Sequence, residues 1–297
     1  MTDITLLTDL RYVNPTEINW YKQNILDDDN LVRAALEKYG LTVKRTNWDN
    51  PEYDWTQTRY AVFRTTWDYF DRFTEFSSWL DLVSTQTKLI NPLELVRGNM
   101  DKHYLCDLQN KGINIPPTVF IETGDERTLA ECVFATGWRD CILKPAVSGA
   151  ARHTYRLNRA NLAEHEAIFR KLIRTESMLI QEFQQQVIHK GEVAFMVFGG
   201  KYSHAVLKKA KPGDFRVQDD FGGTVHDYKP SSHEIEFAEK VVSICRPKPV
   251  YARVDMIWDN NNNVCVSELE LIEPELWFRK YPKAANLFAQ SLLEYMG

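Results

Sequence analysis

The chain has 297 residues, of which 44% are hydrophobic and 26% charged, and a formal net charge of -5. That length predicts two or three lobes rather than one core, and the mild negative charge supplies no basic field for a polyanion, which excludes nucleic acid as a partner. No apolar run reaches membrane-spanning length and the start lacks a basic-then-apolar leader, so the expectation is a cytoplasmic protein with no membrane contact.

Residues 4–7 read as a short apolar strand ending at Thr8-Asp9. Leu31, Ala34, Ala35 and Lys38 recur at helical spacing, and Gly40 closes that helix. Residues 41–45 and 60–63 read as strands and residues 74–82 as a helix; Lys88-Leu89-Ile90 reads as a strand stopped by Asn91-Pro92. Alternating strands and helices predict an open parallel sheet, whose ligands sit beyond the carboxyl ends of its strands. Asp9 and the segment Arg64-Thr65-Thr66-Trp67-Asp68-Tyr69 occupy such ends. Arg64, Trp67 and Asp68 suit a small zwitterion, the guanidinium taking a carboxylate and Asp68 an amine. The alternative is a helix-entry loop capped by Thr66 or Asp68.

Residues 99–110 are predicted to form a helix carrying Lys102 and ended by Gly112. After Pro116-Pro117 come a strand at 118–121, a helix at 128–135 and a strand at 141–144 whose last residue is Lys144. An unpaired lysine emerging from an apolar strand is costly to bury, so a phosphate partner is expected; the alternative is a lysine reaching to the rim. The small-residue loop 145–151, with Ser148, Gly149 and Ala150, lets backbone amides approach an anion. It lacks the GxxxxGK[ST] pattern of a Walker loop. The run Met178-Leu179-Ile180-Gln181-Glu182-Phe183 leads to a strand at 192–198, and a junction of this kind can form a slot for a flat ring. Glu192 either faces a ligand hydroxyl or merely starts that strand. A further strand ends at Lys208, and the loop 211–223, with Arg216, Gly222 and Gly223, suits closure over a phosphoryl group. Ser231 and Glu234 form a capping box for the next helix, and an amphipathic helix from Pro282 closes the chain.

Between them lies VYARVDMIWDNNNNVCVSELELIEPELW, residues 250–277, read as a hairpin about Asn260-Asn261-Asn262-Asn263. With Asp259 paired to Val264, Asp255 falls opposite Glu268 and Arg253 opposite Glu270, so all four share one side. Like charges facing each other destabilise a ladder, and a cation must compensate. Hard oxygen ligands select Mg²⁺ or Mn²⁺. The alternative is a solvated face whose acids balance Arg253. Five scattered cysteines (Cys106, Cys132, Cys141, Cys245 and Cys265), without CxxC spacing, fit reduced buried thiols. HExxH and GxSxG are both absent, which leaves those hydrolase chemistries without support.

In this order the parts resemble the ATP-grasp superfamily, in its glutathione synthetase and ribosomal-protein glutamate ligase branch. FRTTWDY, LKKAKPGDFRVQ…GG and ELELIEP are most similar to the O-ureido-D-serine cyclo-ligase group. The resemblance implies an α/β fold: an N-terminal open parallel sheet lobe (1–95), a central lid subdomain (96–180) and a C-terminal subdomain carrying the magnesium site (181–297). By the same resemblance, Lys102 and Lys144 bind ATP phosphates under Ser148, Gly149 and Ala150. Gln181, Glu182 and Phe183 line the adenine slot, and Glu192 holds the ribose. Lys208 and Arg216 contact the triphosphate and the acyl phosphate. Asp255, Glu268 and Glu270 hold two Mg²⁺, with Arg253 beside them. Glu270 stands where many relatives have Asn, Gln218 where glutathione synthetases have Asn, and Ala150 where a second Gly is common.

The implied reaction is an ADP-forming ligation of a carboxylate to an amine on an amino-acid-like small molecule, intermolecular or ring-closing, by a monomer or homodimer. It proceeds by phosphorylation of the carboxylate, after which a nucleophile displaces phosphate. Rival expectations are a regulatory protein that binds ATP without reaction and a ligase that modifies a protein tail.

Overall fold

The computed structural model describes residues 1–218 and 221–297, so Asp219 and Asp220 of the loop 211–223 lie outside the described residues. Strands β1 (Thr2–Thr8), β2 (Val43–Asn47), β3 (Thr58–Thr65) and β4 (Lys88–Ile90) pair in parallel in the order β2-β1-β3-β4. β1 and β3 are almost continuously buried, as expected of a parallel sheet covered on both faces. The helix Trp20–Glu37 starts well before the predicted Leu31, with Asn19 accepting from the Lys22 amide as its cap. Its acidic middle, Asp27-Asp28-Asp29, breaks the apolar spacing that marks a helix in sequence. Asp28 and Asp29 are buried because arginines from other elements meet them: Arg279 on Asp28 (3.0 Å), Arg45 on Asp29 (2.6 Å) and Arg64 on Asp29 (3.1 Å).

β5 (Thr118–Ile121), β6 (Asp140–Pro145), β7 (Tyr155–Asn158) and β8 (Met178–Glu182) form an antiparallel sheet in the order β5-β8-β6-β7. The helices Leu129–Thr136 and Leu162–Leu172 back it, and Leu129, Val133, Phe169 and Leu172 share one core with Leu143, Leu157 and Ile180.

β9 (Glu192–Phe198), β10 (Lys201–Lys209), β11 (Thr224–Asp227), β12 (Tyr251–Trp258) and β13 (Val264–Glu270) make an antiparallel sheet in the order β11-β10-β9-β12-β13. Alternation divides its faces. Val193, Phe195, Val254, Met256 and Leu269 pack with Ala238, Val241 and Val242 of the helix Ser232–Ser243. The intervening residues point the other way. The closing helix Ala284–Met296 joins the first and third sheets: Phe288 and Leu292 share a core with Ile4, Val62, Met196 and Phe198. The fold is thus α/β, a parallel sheet followed by two antiparallel ones. Among the described residues no helix is long and apolar enough to cross a membrane.

Two local expectations need correction. The helix predicted over 99–110 is two helices, Leu93–Asn99 and Tyr104–Asn110, with Lys102 in the turn between them. The Lys102 amide donates to the Ala146 carbonyl (2.9 Å), so a contact with the segment after β6 replaces one helical bond. The hairpin turn is also one residue longer than expected, because Trp258 rather than Asp259 faces Val264. The register shifts between Asp255 and Met256, leaving Ser267 as the extra residue of a bulge. Asp255 therefore still faces Glu268, and Arg253 still faces Glu270.

Candidate active site

The outward face of the third sheet, the small-residue loop after β6 and the end of the first sheet enclose a cleft of about 520 Å³. Cross-strand pairing assembles its floor. β10 sets Lys208 opposite Glu192, and β12–β13 sets Asp255 opposite Glu268 and Arg253 opposite Glu270. Lys208 bridges Glu192 (2.5 Å) and Asp255 (3.0 Å). Arg253 clamps Asp255 through Nε (2.9 Å) and Nη2 (2.8 Å) and also reaches Glu270. Ser267, the bulged residue, donates to Glu192 (2.9 Å) and to the Asp255 carbonyl (3.0 Å). Lys102 meets Glu268 (3.0 Å) from the opposite wall and also donates to the Ser148 carbonyl.

Charge balance sets the protonation of these groups. Burial works against the charge of Asp255, but Arg253 and Lys208 outweigh it and hold its carboxyl below the usual range. Glu268 is likewise held low against burial by Lys102 and Lys144. Burial pushes Glu270 well above the usual carboxylate range, with Asp255 and Glu268 adding to it and Arg253 offsetting only part. Burial raises Glu192 as well, and Lys208 offsets part of that. Glu273, just past β13, is pushed up to about 8 by burial. Lys144 is lowered by burial and by Lys102, against the pull of Glu268.

Among the described residues no three His, Cys, Asp or Glu side chains are gathered as a metal cage. The compensating cations of the acid hairpin are Lys102, Lys144, Lys208 and Arg253. The donors are nonetheless hard oxygens. Glu270 and Glu273 line the same cleft as Asp255 and Glu268, and burial makes the charged form of either costly unless a further cation joins it. That chemistry fits a divalent ion such as Mg²⁺.

At one side Gln181, Glu182 and Phe183 line the cleft with Ile142, Ile257 and Leu269. Gln181 is fixed by donating to Thr118 Oγ1 (2.9 Å), and Phe183 lies under the Arg156 guanidinium (3.9 Å). Ser148, Gly149 and Ala150 line the cleft as well. Gly149 lies against Phe70, where a Cβ would come 2.6 Å from the ring. Arg152 ties this loop to Glu176 (2.8 Å) and to Asp71 of the first lobe (3.4 Å). Arg216 lines the cleft with its guanidinium over Phe221 (3.9 Å) and paired to Asp214 (2.8 Å). Gly222 and Gly223 do not line it. Gly222 has φ +78°, and a Cβ on Gly223 would collide with the Val217 carbonyl, so the pair serves the turn itself.

The strand ends of the first sheet depart furthest from expectation. Trp67 lines the cleft and donates to the Glu273 carbonyl (2.9 Å). Asp9, Arg64 and Asp68 do not line it. Arg64 is buried on Asp29, with its guanidinium over Phe278 (5.3 Å), and Asp68 accepts from Trp48 Nε1 (2.8 Å) and pairs with Arg72 (2.9 Å). Asp9 is buried beneath Arg11, which does reach the cleft. Arg11, Tyr12 and Tyr21 also line the cleft and carry no motif that marks them in the sequence, whereas Glu273 and Trp277, which line it too, fall within the stretch 250–277 without a role assigned to them.

Residues 4–91 match the family described as D-cycloserine synthetase DcsG, N-terminal domain. Over 279 residues the chain is 30% identical to the cycloserine biosynthesis protein DcsG of Streptomyces lavendulae, covering 88% of this chain and 91% of that protein. The crystal structure of D-cycloserine synthetase DcsG superposes with a TM-score of 0.85 at 27% identity, covering 99% of each chain. A D-alanine–D-alanine ligase from Bacillus anthracis, complexed with ATP, shares the fold at a TM-score of 0.67 and 15% identity, over 99% of this chain and 97% of that one.

Proposed function

The chain belongs to the family of the cycloserine biosynthesis protein DcsG, an ATP-dependent carboxylate–amine ligase family of the ATP-grasp fold, and on that premise we propose that it closes a ring within an amino-acid-like small molecule. The enzyme forms a C–N bond with release of ADP. The observation that carries the residue assignment is the single charged face of the third sheet, met by Lys102 and Lys144 from the facing wall.

In this reading the adenine lies in the slot of Gln181, Glu182 and Phe183, with Glu192 toward the ribose. The phosphates extend toward Lys102, Lys144 and Lys208 beneath Ser148, Gly149 and Ala150. Asp255, Glu268 and Glu270 are the residues to hold two Mg²⁺, with Mn²⁺ able to substitute. Bound there, the metal supplies neutralisation of the charge on the phosphates. A carboxylate oxygen of the substrate attacks the γ-phosphorus, and the bond to the β-phosphate oxygen breaks to give ADP. The substrate nitrogen then attacks the acyl carbon, the carbon–oxygen bond to phosphate breaks, and the nitrogen's proton passes to solvent. Arg253 and Arg216 present guanidinium donors to the oxygens that gain charge in both steps. No protein nucleophile is needed.

A cleft of about 520 Å³ walled by Trp67, Tyr12 and Tyr21 supports a small molecule over a protein tail. Every role is filled from one chain, so the reading covers a monomer and a homodimer alike. The five free cysteines support the cytoplasmic setting. The test is Mg²⁺-dependent ADP release with serine-derived amino acids, measured for the wild type and for Glu268→Gln. We expect the variant to lose roughly 100-fold or more in turnover while still binding ATP. Turnover at the wild-type rate in Glu268→Gln would refute the assignment.

A further inference from the structure

One cation in the cleft has a built support and no role in the reaction as described. Arg11 follows β1 directly, on the short helix Leu10–Val13. Its Nε lies 3.0 Å from Asp9 Oδ1 and its Nη2 lies 2.6 Å from Asp9 Oδ2. Asp9 Oδ1 also accepts from the Arg11 backbone amide (2.9 Å). Asp9 is buried, whereas the Arg11 side chain is 57% exposed and lines the cleft.

A two-pronged clamp of this kind occupies one edge of the guanidinium and leaves the N–H groups of the other edge directed away. Among the described residues no second carboxylate stands at ion-pair distance from Arg11. The clamp also removes most of the flexibility that a surface arginine has, so an incoming acceptor meets a preorganised donor. The wall beside it is aromatic: Tyr12 meets Trp67 edge to face (5.8 Å), and Trp67 packs on Tyr21 (6.2 Å). Trp67 is itself held to the Glu273 carbonyl, so the wall is continuous with the segment that follows the acid hairpin. A helix cap needs only the bond from the Arg11 amide to Asp9. The side-chain clamp exceeds that need.

We infer that Arg11, braced by Asp9, is a specificity residue: it receives an acceptor-rich end of the substrate, a carbonyl or second carboxylate remote from the reacting carboxyl group. This rests on the ligase reading and names what the substrate must carry at its other end. Arg11 touches substrate, and Asp9 acts as its positioning residue.

The test compares three probes in ADP release with ATP and Mg²⁺: the O-ureido ether of serine, glutamate and O-methylserine, each as both enantiomers. The first carries a neutral acceptor, the second a charged one, and the third none. Arg11→Ala is expected to raise KM for the acceptor-bearing probe that the wild type prefers by roughly 10- to 100-fold. The Kd for O-methylserine, read by quenching of tryptophan fluorescence, and the Kd for ATP should stay within about twofold, which also reports intact folding. Asp9→Asn is expected to move KM in the same direction by less, with kcat little changed. Equal shifts for the tailed and untailed probes in Arg11→Ala, or no shift for either, overturn the inference. If the wild type releases no ADP with any probe, the ligase reading fails instead. Quenching of Trp67 and Trp277 fluorescence on binding then gives the same Arg11 comparison without turnover.

Discussion

The hairpin of β12 and β13 delivers Arg253, Asp255, Glu268 and Glu270 to one cleft, whereas the strand ends of the first sheet send Arg64 and Asp68 to partners inside the lobe. The two regions carry similar charged residues and differ in what orients them. Along a paired strand the pleat decides, and every second side chain shares a face. Beyond a strand end no period applies, and a side chain goes where another element offers a partner. For Arg64 that partner is Asp29, on a helix from far earlier in the chain, together with the rings of Phe278 and Phe288 near its end. Charge close to a strand end therefore marks a ligand site only when its partners within the fold leave it lining the cleft, as they do for Lys208 and Arg11 and not for Arg64.

The sharpest way to break this comparison is to remove one charge from each region. Asp255→Ala leaves Lys208 and Arg253 without their shared partner. It should cost about 3–5 kcal/mol of stability in urea unfolding, and ADP release per folded molecule should fall roughly 100-fold or more. Asp255→Asn separates the two effects, and it should retain more stability while remaining inactive. Arg64→Leu should lower stability by about 1–3 kcal/mol, less than Asp255→Ala because Arg45 still pairs with Asp29. The KM for the amino-acid substrate should not change. A tenfold rise in that KM with unaltered stability would return Arg64 to the substrate site and erase the contrast between the regions.

A smaller effect sharpens the point about partners. On β10, Lys208 is kept charged by two carboxylates, whereas His204 is buried with, among the described residues, only the Leu276 carbonyl (2.8 Å) and Ser203 as hydrogen-bond partners. Burial pushes the His204 imidazole down to about 4, below its ordinary value of 6.5. Between these values the unfolded chain binds the proton and the folded one does not, so stability is full above pH 6.5 and is lost as pH falls toward 4. His204→Asn should flatten that window in unfolding curves taken at pH 5 and pH 7.5. An unchanged slope would mean that His204 is solvated in the folded state.

Much of the acid hairpin was legible because its information is local. Alternation and the four-Asn turn are enough to place Asp255 opposite Glu268. The bulge at Ser267 was not legible, and it is what reconciles the longer turn with that pairing. The lysines of the facing wall were legible as residue types, but the turn that holds Lys102 was not, since its bond to Ala146 joins segments distant in sequence. Arg11 lay within sight, two residues after a singled-out Asp9. Which of the two faces the cleft depended on the carboxylate being buried first, and no spacing announces that.

By itself the sequence determined the α/β class, the parallel first sheet, the charged face of the last hairpin and the resemblance to ATP-grasp ligases. All of these follow from short-range periodicity and the order of motifs along the chain. Only the tertiary structure decided that Arg64 and Asp68 serve the lobe while Arg11 and Glu273 line the cleft beside Trp67. A buried charge must find an opposite charge or a hydrogen bond, and at those positions its partners come from elements that meet only once the chain has folded.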